Sequence, residues 1–140
     1  MNTDNLNTFS MQIASRTDNL EIIRMFVADI AKNLGMTEEA VYEIELAVDE
    51  ACTNVIKHAY RFDSTQYIDI TVQTNSRKLT IIISDRGVGF NPDQLESPEL
   101  RIKKHARGGL GIALIRKVMD EVTFDIHPGQ RNEVRMVKYF

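Results

Sequence analysis

The chain has 140 residues, 43% of them hydrophobic, and a formal net charge of -3. That length suits one domain over residues 1–140 with a single core, and the mild acidity gives no bulk attraction to nucleic acid or to an anionic membrane. The one cysteine, Cys52, excludes an internal disulfide and fits a reducing compartment. No apolar run approaches the ~20 residues of a membrane span, and residues 1–10 are too polar for a secretory signal, so the expected setting is the cytoplasm.

In chain order, Phe9, Met11 and Ile13 alternate with Ser10, Gln12 and Ala14, the period of a first strand. Thr17 has the chemistry of an N-cap, and Leu20, Ile23, Val27, Ile30 and Leu34 follow at helical spacing until Gly35 stops the run. Thr37 opens a second helix with the apolar arc Val41, Ile44, Val48, Cys52 and Val55, running to about Tyr60. Ile68, Ile70 and Val72 alternate with polar neighbours, Asn75 and Ser76 turn the chain, and Leu79, Ile81 and Ile83 complete a hairpin. Asn91 and Pro92 break the pattern, and the stretch to Ala106 is polar and basic. Leu110, Ala113, Leu114 and Val118 form a third helix directly after a glycine run. Val122, Phe124 and Ile126 read as a strand, residues 127–130 as a turn, and Val134, Met136 and Lys138 lie in the last strand. One-face alternation predicts a mainly antiparallel sheet with helices packed on one side, a two-layer α+β sandwich.

Glu50 and Asn54, four residues apart, share a helix face one turn from each other. Opposite the arc of Ile44, Val48 and Val55, they form either a solvated polar stripe or part of a site. Ala47 and Ala51 on their flank leave room for a ligand. Magnesium takes oxygen ligands and keeps several waters, so one amide oxygen plus phosphates suffices as partner set. A carboxylate one turn away suits ordering a water or taking a proton from a hydroxyl.

Asp85, Gly87 and Gly89 follow a strand. They make either a tight turn or a base site, in which Asp85 accepts from an adenine amino group and the glycines let the ring lie against the backbone. A dinucleotide fingerprint fits poorly, because Asn91 and Pro92 follow where a helix should start. Arg107, Gly108, Gly109, Leu110 and Gly111 precede the helix from Ile112 to Val118. Free amides at a helix N-terminus bind anions; a flexible hinge is the alternative. A Walker-type loop is excluded, since no Gly-Lys-Ser/Thr occurs. Arg101, Lys103, Lys104, His105 and Arg107 make either a solvated basic loop or a lid over phosphates. His58 reads as a structural or rim residue, Cys52 as core, and His58, His105 and His127 lack metal-ligand spacing.

In these three segments the chain resembles the GHKL ATPases of the Bergerat fold, and most closely their anti-sigma-factor serine-protein kinase branch, over about residues 8 to 140. Glu50, Asn54 and His58 match the first box of that family. Asp85, Gly87 and Gly89 match the second, and Arg107 with Gly108 to Gly111 the third. The resemblance implies ATP and magnesium as cofactors: Asn54 as magnesium ligand, Glu50 as base or water-orienting carboxylate, and Asp85 as reader of adenine. It also implies a STAS-domain anti-anti-sigma protein as substrate, a sigma factor as sequestered partner, and a homodimer. The family opens its last strand with Gly-Thr, whose hydroxyl supports the adenine-binding aspartate; this chain has Arg131 and Asn132 there, and Asn132 still offers a hydrogen bond.

The leading expectation is an ATP-dependent serine/threonine kinase that also sequesters a sigma factor. The alternative is a partner-switching module acting by sequestration alone, which has no need of Glu50. A histidine-kinase catalytic domain is disfavoured, since the roughly 16 residues before the first helix cannot hold a phosphoacceptor hairpin. Gyrase-like and Hsp90-like ATPases need far longer chains to couple hydrolysis to movement.

Overall fold

The computed structural model describes residues 6–93 and 107–140, with 107–110 described by backbone alone. Chain order is β1 (Asn7–Ala14), a 3-10 turn (Thr17–Asn19), α1 (Leu20–Asn33), α2 (Glu38–Asn54), a π-helical turn (Val55–Ala59), β2 (Tyr67–Thr74), β3 (Lys78–Asp85), α3 (Arg107–Val118), β4 (Glu121–His127) and β5 (Arg131–Tyr139). The basic stretch with Arg101, Lys103, Lys104 and His105, read above as loop or lid, lies outside the described residues.

Period-2 alternation builds the sheet. Its order is β1-β2-β3-β5-β4, with every neighbouring pair antiparallel. Ile68, Ile70, Val72, Leu79, Ile81, Ile83 and Met136 are each 1% exposed or less and cluster with Ile23, Val27, Ile44 and Val48 of the helices. A fully buried side chain of this size contributes roughly 1.5–3 kcal/mol. A one-residue slip would turn the whole apolar row outward, so this face sets the register. The register pairs Asp85 with Asn132 at the end of β3, far apart in sequence but side by side in the sheet.

The helices form the second layer, with α2 packed between α1 and α3. The α+β sandwich expected from the sequence is what forms. At the end of α1, Gly35 takes a left-handed φ of 80°, and the amides of Gly35 and Met36 donate to the carbonyls of Lys32 (3.0 Å) and Ala31 (3.3 Å). That is a Schellman stop. Thr37 caps α2, its Oγ1 accepting from the Ala40 amide at 3.1 Å. Lys138 closes the C-terminus of α3, donating to the Val118 carbonyl (2.5 Å) and to Glu43 of α2 (2.9 Å).

Three local expectations need correction. Thr17 is not the cap of α1; it begins the 3-10 turn, and Asn19 precedes the helix without a side-chain cap. The second helix does not run as one α-helix to Tyr60, because it changes to a π turn after Asn54. The third helix does not start after the glycines. It starts at Arg107 and takes Gly108 to Gly111 into its first turns, where glycine's low propensity is overridden by tertiary context.

Candidate active site

Asp85 ends β3 and is 3% exposed. Its Oδ1 accepts from the Asn132 Nδ2 at 2.9 Å and from the Gly87 amide at 2.8 Å. Its Oδ2 accepts nothing among the described residues. Burial pushes this carboxyl above its ordinary range, and the two hydrogen bonds oppose the shift. Asn132, itself 1% exposed, also donates to the Gly87 carbonyl (2.9 Å), and its Oδ1 accepts from the His127 amide (3.0 Å). The Gly129 amide adds a second bond to the Gly87 carbonyl at 2.8 Å. Asn132 therefore provides the support to Asp85 that a hydroxyl gives in the resembled family, and it ties the turn to the β4–β5 hairpin as well.

The glycines of this turn are sterically required. A Cβ on Gly87 would stand 2.2 Å from the Ala59 carbonyl oxygen. Gly89 has φ 76°, and a Cβ there would meet Ile126 Cγ2 at 2.9 Å and Asn132 Oδ1 at 3.1 Å. Close approach to the Ala59 backbone is the reason at Gly87, and positive φ with two crowding side chains is the reason at Gly89.

Asp85 and Asn132 open into a cleft lined further by Ala51, Asn54 and Val55 of α2, Ile83, Phe90, and Phe124, Ile126, Glu133 and Val134 of the last hairpin. Phe90 and Phe124 meet edge to face at 6.1 Å, with the Arg116 guanidinium 5.6 Å from the Phe124 ring centroid. The mostly apolar lining around the buried Asp85 carboxylate has the chemistry for a flat heteroaromatic ring carrying an exocyclic amino group, but the side chains enclose only about 10 Å³ here, so a ring enters only if they part.

Asn54 is the second polar centre. It is 4% exposed, so the solvated-stripe reading does not hold for it. Its Nδ2 is buried and has no hydrogen-bond partner. Unmet capacity of this kind typically costs about 1–3 kcal/mol, which a ligand can offset. Glu50, one turn earlier, is half-buried. Desolvation raises its carboxyl above the ordinary range, the charge of Asp49 adds to this and Lys57 opposes it. Both side chains converge on Gly111. A Cβ there would stand 2.8 Å from Glu50 Oε2 and 3.7 Å from either terminal atom of the Asn54 carboxamide. With Arg107, Gly108, Gly109 and Leu110 forming the start of α3, the backbone amides that lack intrahelical partners gather at this end.

The three sequence segments thus meet. Glu50, Asn54 and Gly111 sit at one end, Asp85, Gly87, Gly89 and Asn132 at the other, and Asn54 and Asp85 line one cleft. His58 lies on the rim, its ring 6.1 Å from Phe90. Cys52 is fully buried core, and burial pushes its thiol pKa up. Phe90, Phe124 and Ile126 were not singled out from sequence as cleft residues; the alternation of Phe124 and Ile126 marks an inward face but not what that face holds.

The fold and this site define a nucleotide-binding ATPase domain: residues 13–138 match the histidine kinase-like ATPase domain, and the chain belongs to that family. It is 30% identical to the serine-protein kinase RsbW of Bacillus subtilis (strain 168), over 97% of this chain and 88% of that protein. It is 31% identical to the serine-protein kinase RsbW of Bacillus licheniformis, over 85% of this chain and 78% of that one. Two solved structures share the fold. One contains the RsbU and RsbW domains of a Mycobacterium tuberculosis protein (TM-score 0.68, 13% identity), covering 94% of this chain but only 32% of that one. The other is the SiaB-SiaC complex from Pseudomonas aeruginosa (TM-score 0.65, 10% identity, 92% of this chain and 88% of that one).

Proposed function

We propose that this chain is an ATP-dependent protein serine/threonine kinase and anti-sigma factor, which phosphorylates a STAS-type anti-anti-sigma protein and sequesters a sigma factor. It acts as one domain over residues 1–140, in the cytoplasm, as a homodimer. The observation that carries the reading is the convergence of Glu50 and Asn54 on Gly111, beside a cleft that ends in the buried Asp85. Similarity to serine-protein kinases over most of the chain supports it. Among the described residues no helix is long and apolar enough to cross a membrane.

In this reading Asp85 accepts from the adenine amino group through the oxygen its neighbours leave open, with Asn132 holding the carboxylate and Gly87 and Gly89 letting the base close on the backbone. The amides of Gly108, Gly109, Leu110 and Gly111, with Arg107, hold the phosphates. The side-chain chemistry fits magnesium: the Asn54 carboxamide oxygen lies as near a Gly111 Cβ (3.7 Å) as its nitrogen does, and a neutral amide oxygen beside phosphates suits a hard cation that keeps most of its waters, while the unpartnered Nδ2 is a donor for a phosphate or water oxygen. Asn54 would hold the ion through its carboxamide oxygen, and the ion would supply positive charge against that of the phosphates. Glu50 takes the proton of the substrate hydroxyl as the seryl oxygen bonds to the γ-phosphorus and the bond from phosphorus to the β–γ bridging oxygen breaks, releasing ADP. Its raised pKa makes it a better proton acceptor than an exposed glutamate, provided it is ionised.

The test is incubation with γ-labelled ATP and candidate STAS proteins, followed by phosphosite mapping. Label on one serine or threonine is the expected result. Sigma-factor binding without any phosphorylation would establish sequestration alone.

A further inference from the structure

The π turn that follows Asn54 makes a connection the three sequence segments did not predict. Within it the Tyr60 amide reaches back five residues to the Val55 carbonyl at 2.9 Å. π turns inside α-helices are rare and cluster at functional sites. Here the turn leaves the Ala59 carbonyl to accept the Val88 amide, at 2.9 Å, against the flat face of Gly87. Tyr60, 8% exposed, adds a second anchor: its hydroxyl donates to the Tyr67 carbonyl at 2.7 Å and accepts the Arg86 amide at 2.9 Å. The chain then reverses through Arg61 and Phe62, both with positive φ (50° and 64°), a conformation unfavourable for side chains of their size. Strain of this sort persists when the surroundings over-determine it.

We infer that Tyr60 is a positioning residue of the nucleotide site, locking the backbone after Asp85 to the helix that carries Asn54 so that the base-reading and metal-binding ends stay in register. The inference rests on the function proposed above. Two hydrogen bonds, Arg86 to Tyr60 and Val88 to Ala59, pin alternate amides of the segment after Asp85 to the end of the π turn and the residue that follows it. Asn54 immediately precedes the π turn and Asp85 immediately precedes the pinned segment, so a shift of one polar centre is transmitted to the other through the five residues of that turn and one phenol. Burial raises the phenol's pKa, keeping it protonated and able to donate at neutral pH.

The test is a double-mutant cycle of Tyr60→Phe and Asn54→Ala, read as Mg-ATP affinity, with hydrogen exchange at the Arg86 and Val88 amides. Tyr60→Phe keeps the ring and removes only the hydroxyl. We expect it to weaken Mg-ATP about tenfold and to speed exchange at Arg86 in the nucleotide-free chain. The cost of Asn54→Ala should then shrink at least about threefold in the Tyr60→Phe background, because two groups acting through one register are not additive. Additive costs, with only a lowered melting temperature, would reduce Tyr60 to a structural residue and overturn the inference. So would free-loop exchange at Arg86 and Val88 in the unmodified chain, a readout that needs no variant to fold. If the unmodified chain binds no Mg-ATP, the reading of the site itself fails, a result separate from additivity.

Discussion

The Asp85 end and the Glu50 end of the cleft are built on opposite plans. At the Asp85 end nearly every polar atom is bonded to protein: Asn132 alone reaches Asp85, Gly87 and His127, and Gly87 is wedged on Ala59. At the Glu50 end the Asn54 Nδ2 has no partner, and Gly111 leaves a space that a single methyl would fill. One end is rigid before any ligand arrives, while the other is left for the ligand to complete. A site so divided can fix the base at low entropic cost and reserve its unmet polar capacity for the charged, reacting end of the nucleotide.

The largest expected effect comes from breaking the Glu50 end. Glu50→Gln keeps shape and removes charge, so phosphorylation of the STAS partner should fall about 10²–10⁴-fold while ATP affinity and sigma-factor binding persist. Glu50 has its folded pKa raised, so its contribution to stability is present below its unfolded pKa and lost as pH rises through the folded value. At neutral pH the ionised side chain therefore opposes folding, and the Gln variant should melt no lower than the unmodified chain. A lower melting temperature with unchanged kinase rate would mean Glu50 serves structure instead.

Alanine at two glycines sharpens the contrast. Gly87→Ala drives a Cβ into the Ala59 backbone, and a rigid neighbour cannot yield, so thermal unfolding should show a loss of about 1–3 kcal/mol. Gly111→Ala meets only the end of the Glu50 side chain and replaces a helical glycine, which by itself gains up to about 1 kcal/mol. It should stay as stable as the parent, yet lose kinase activity by up to about 10²-fold, because a displaced base misaligns transfer. Equal destabilisation by both would erase the distinction between the two ends.

The smallest effect is on pH dependence. Burial and the Asp49 charge raise the Glu50 pKa, and only the ionised form accepts a proton. The kinase rate should therefore fall on acidification at a pH above that expected for an exposed glutamate, and that limb should vanish in Glu50→Gln. A profile flat through the acid range in the parent contradicts the base role.

Much of this was legible in the sequence because it rests on local periodicity. Alternation of Ile68, Ile70 and Val72 and of Leu79, Ile81 and Ile83 gave the central hairpin, and Thr37 and Gly35 marked helix ends by cap chemistry and positive φ. The motif residues were legible as types, and the structure brings them together. What escaped depends on contacts between distant segments. No propensity distinguishes a π turn at Val55–Ala59 from a continuing helix, and Tyr60 matters only through Tyr67 and Arg86. Thr17 failed as a cap because the chain enters α1 through a 3-10 turn, and helix periodicity left Asn54 open between a solvated stripe and a site because its burial comes from its place in the cleft, lined by β3 and the last hairpin as well as α2.

The central claim is that the two polar ends hold different parts of one Mg-ATP, and paired calorimetry tests it most directly. ATP affinity would be measured for the parent, Asp85→Asn and Asn54→Ala, each with and without magnesium. Asp85→Asn keeps a carbonyl for Asn132 and Gly87 but turns a donor toward the adenine amino group, so it should cost about 1–3 kcal/mol in both conditions. Asn54→Ala should weaken binding with magnesium present and have little effect without it. Equal losses for Asn54→Ala in the two conditions, or a loss for Asp85→Asn only when magnesium is present, would contradict the assignment.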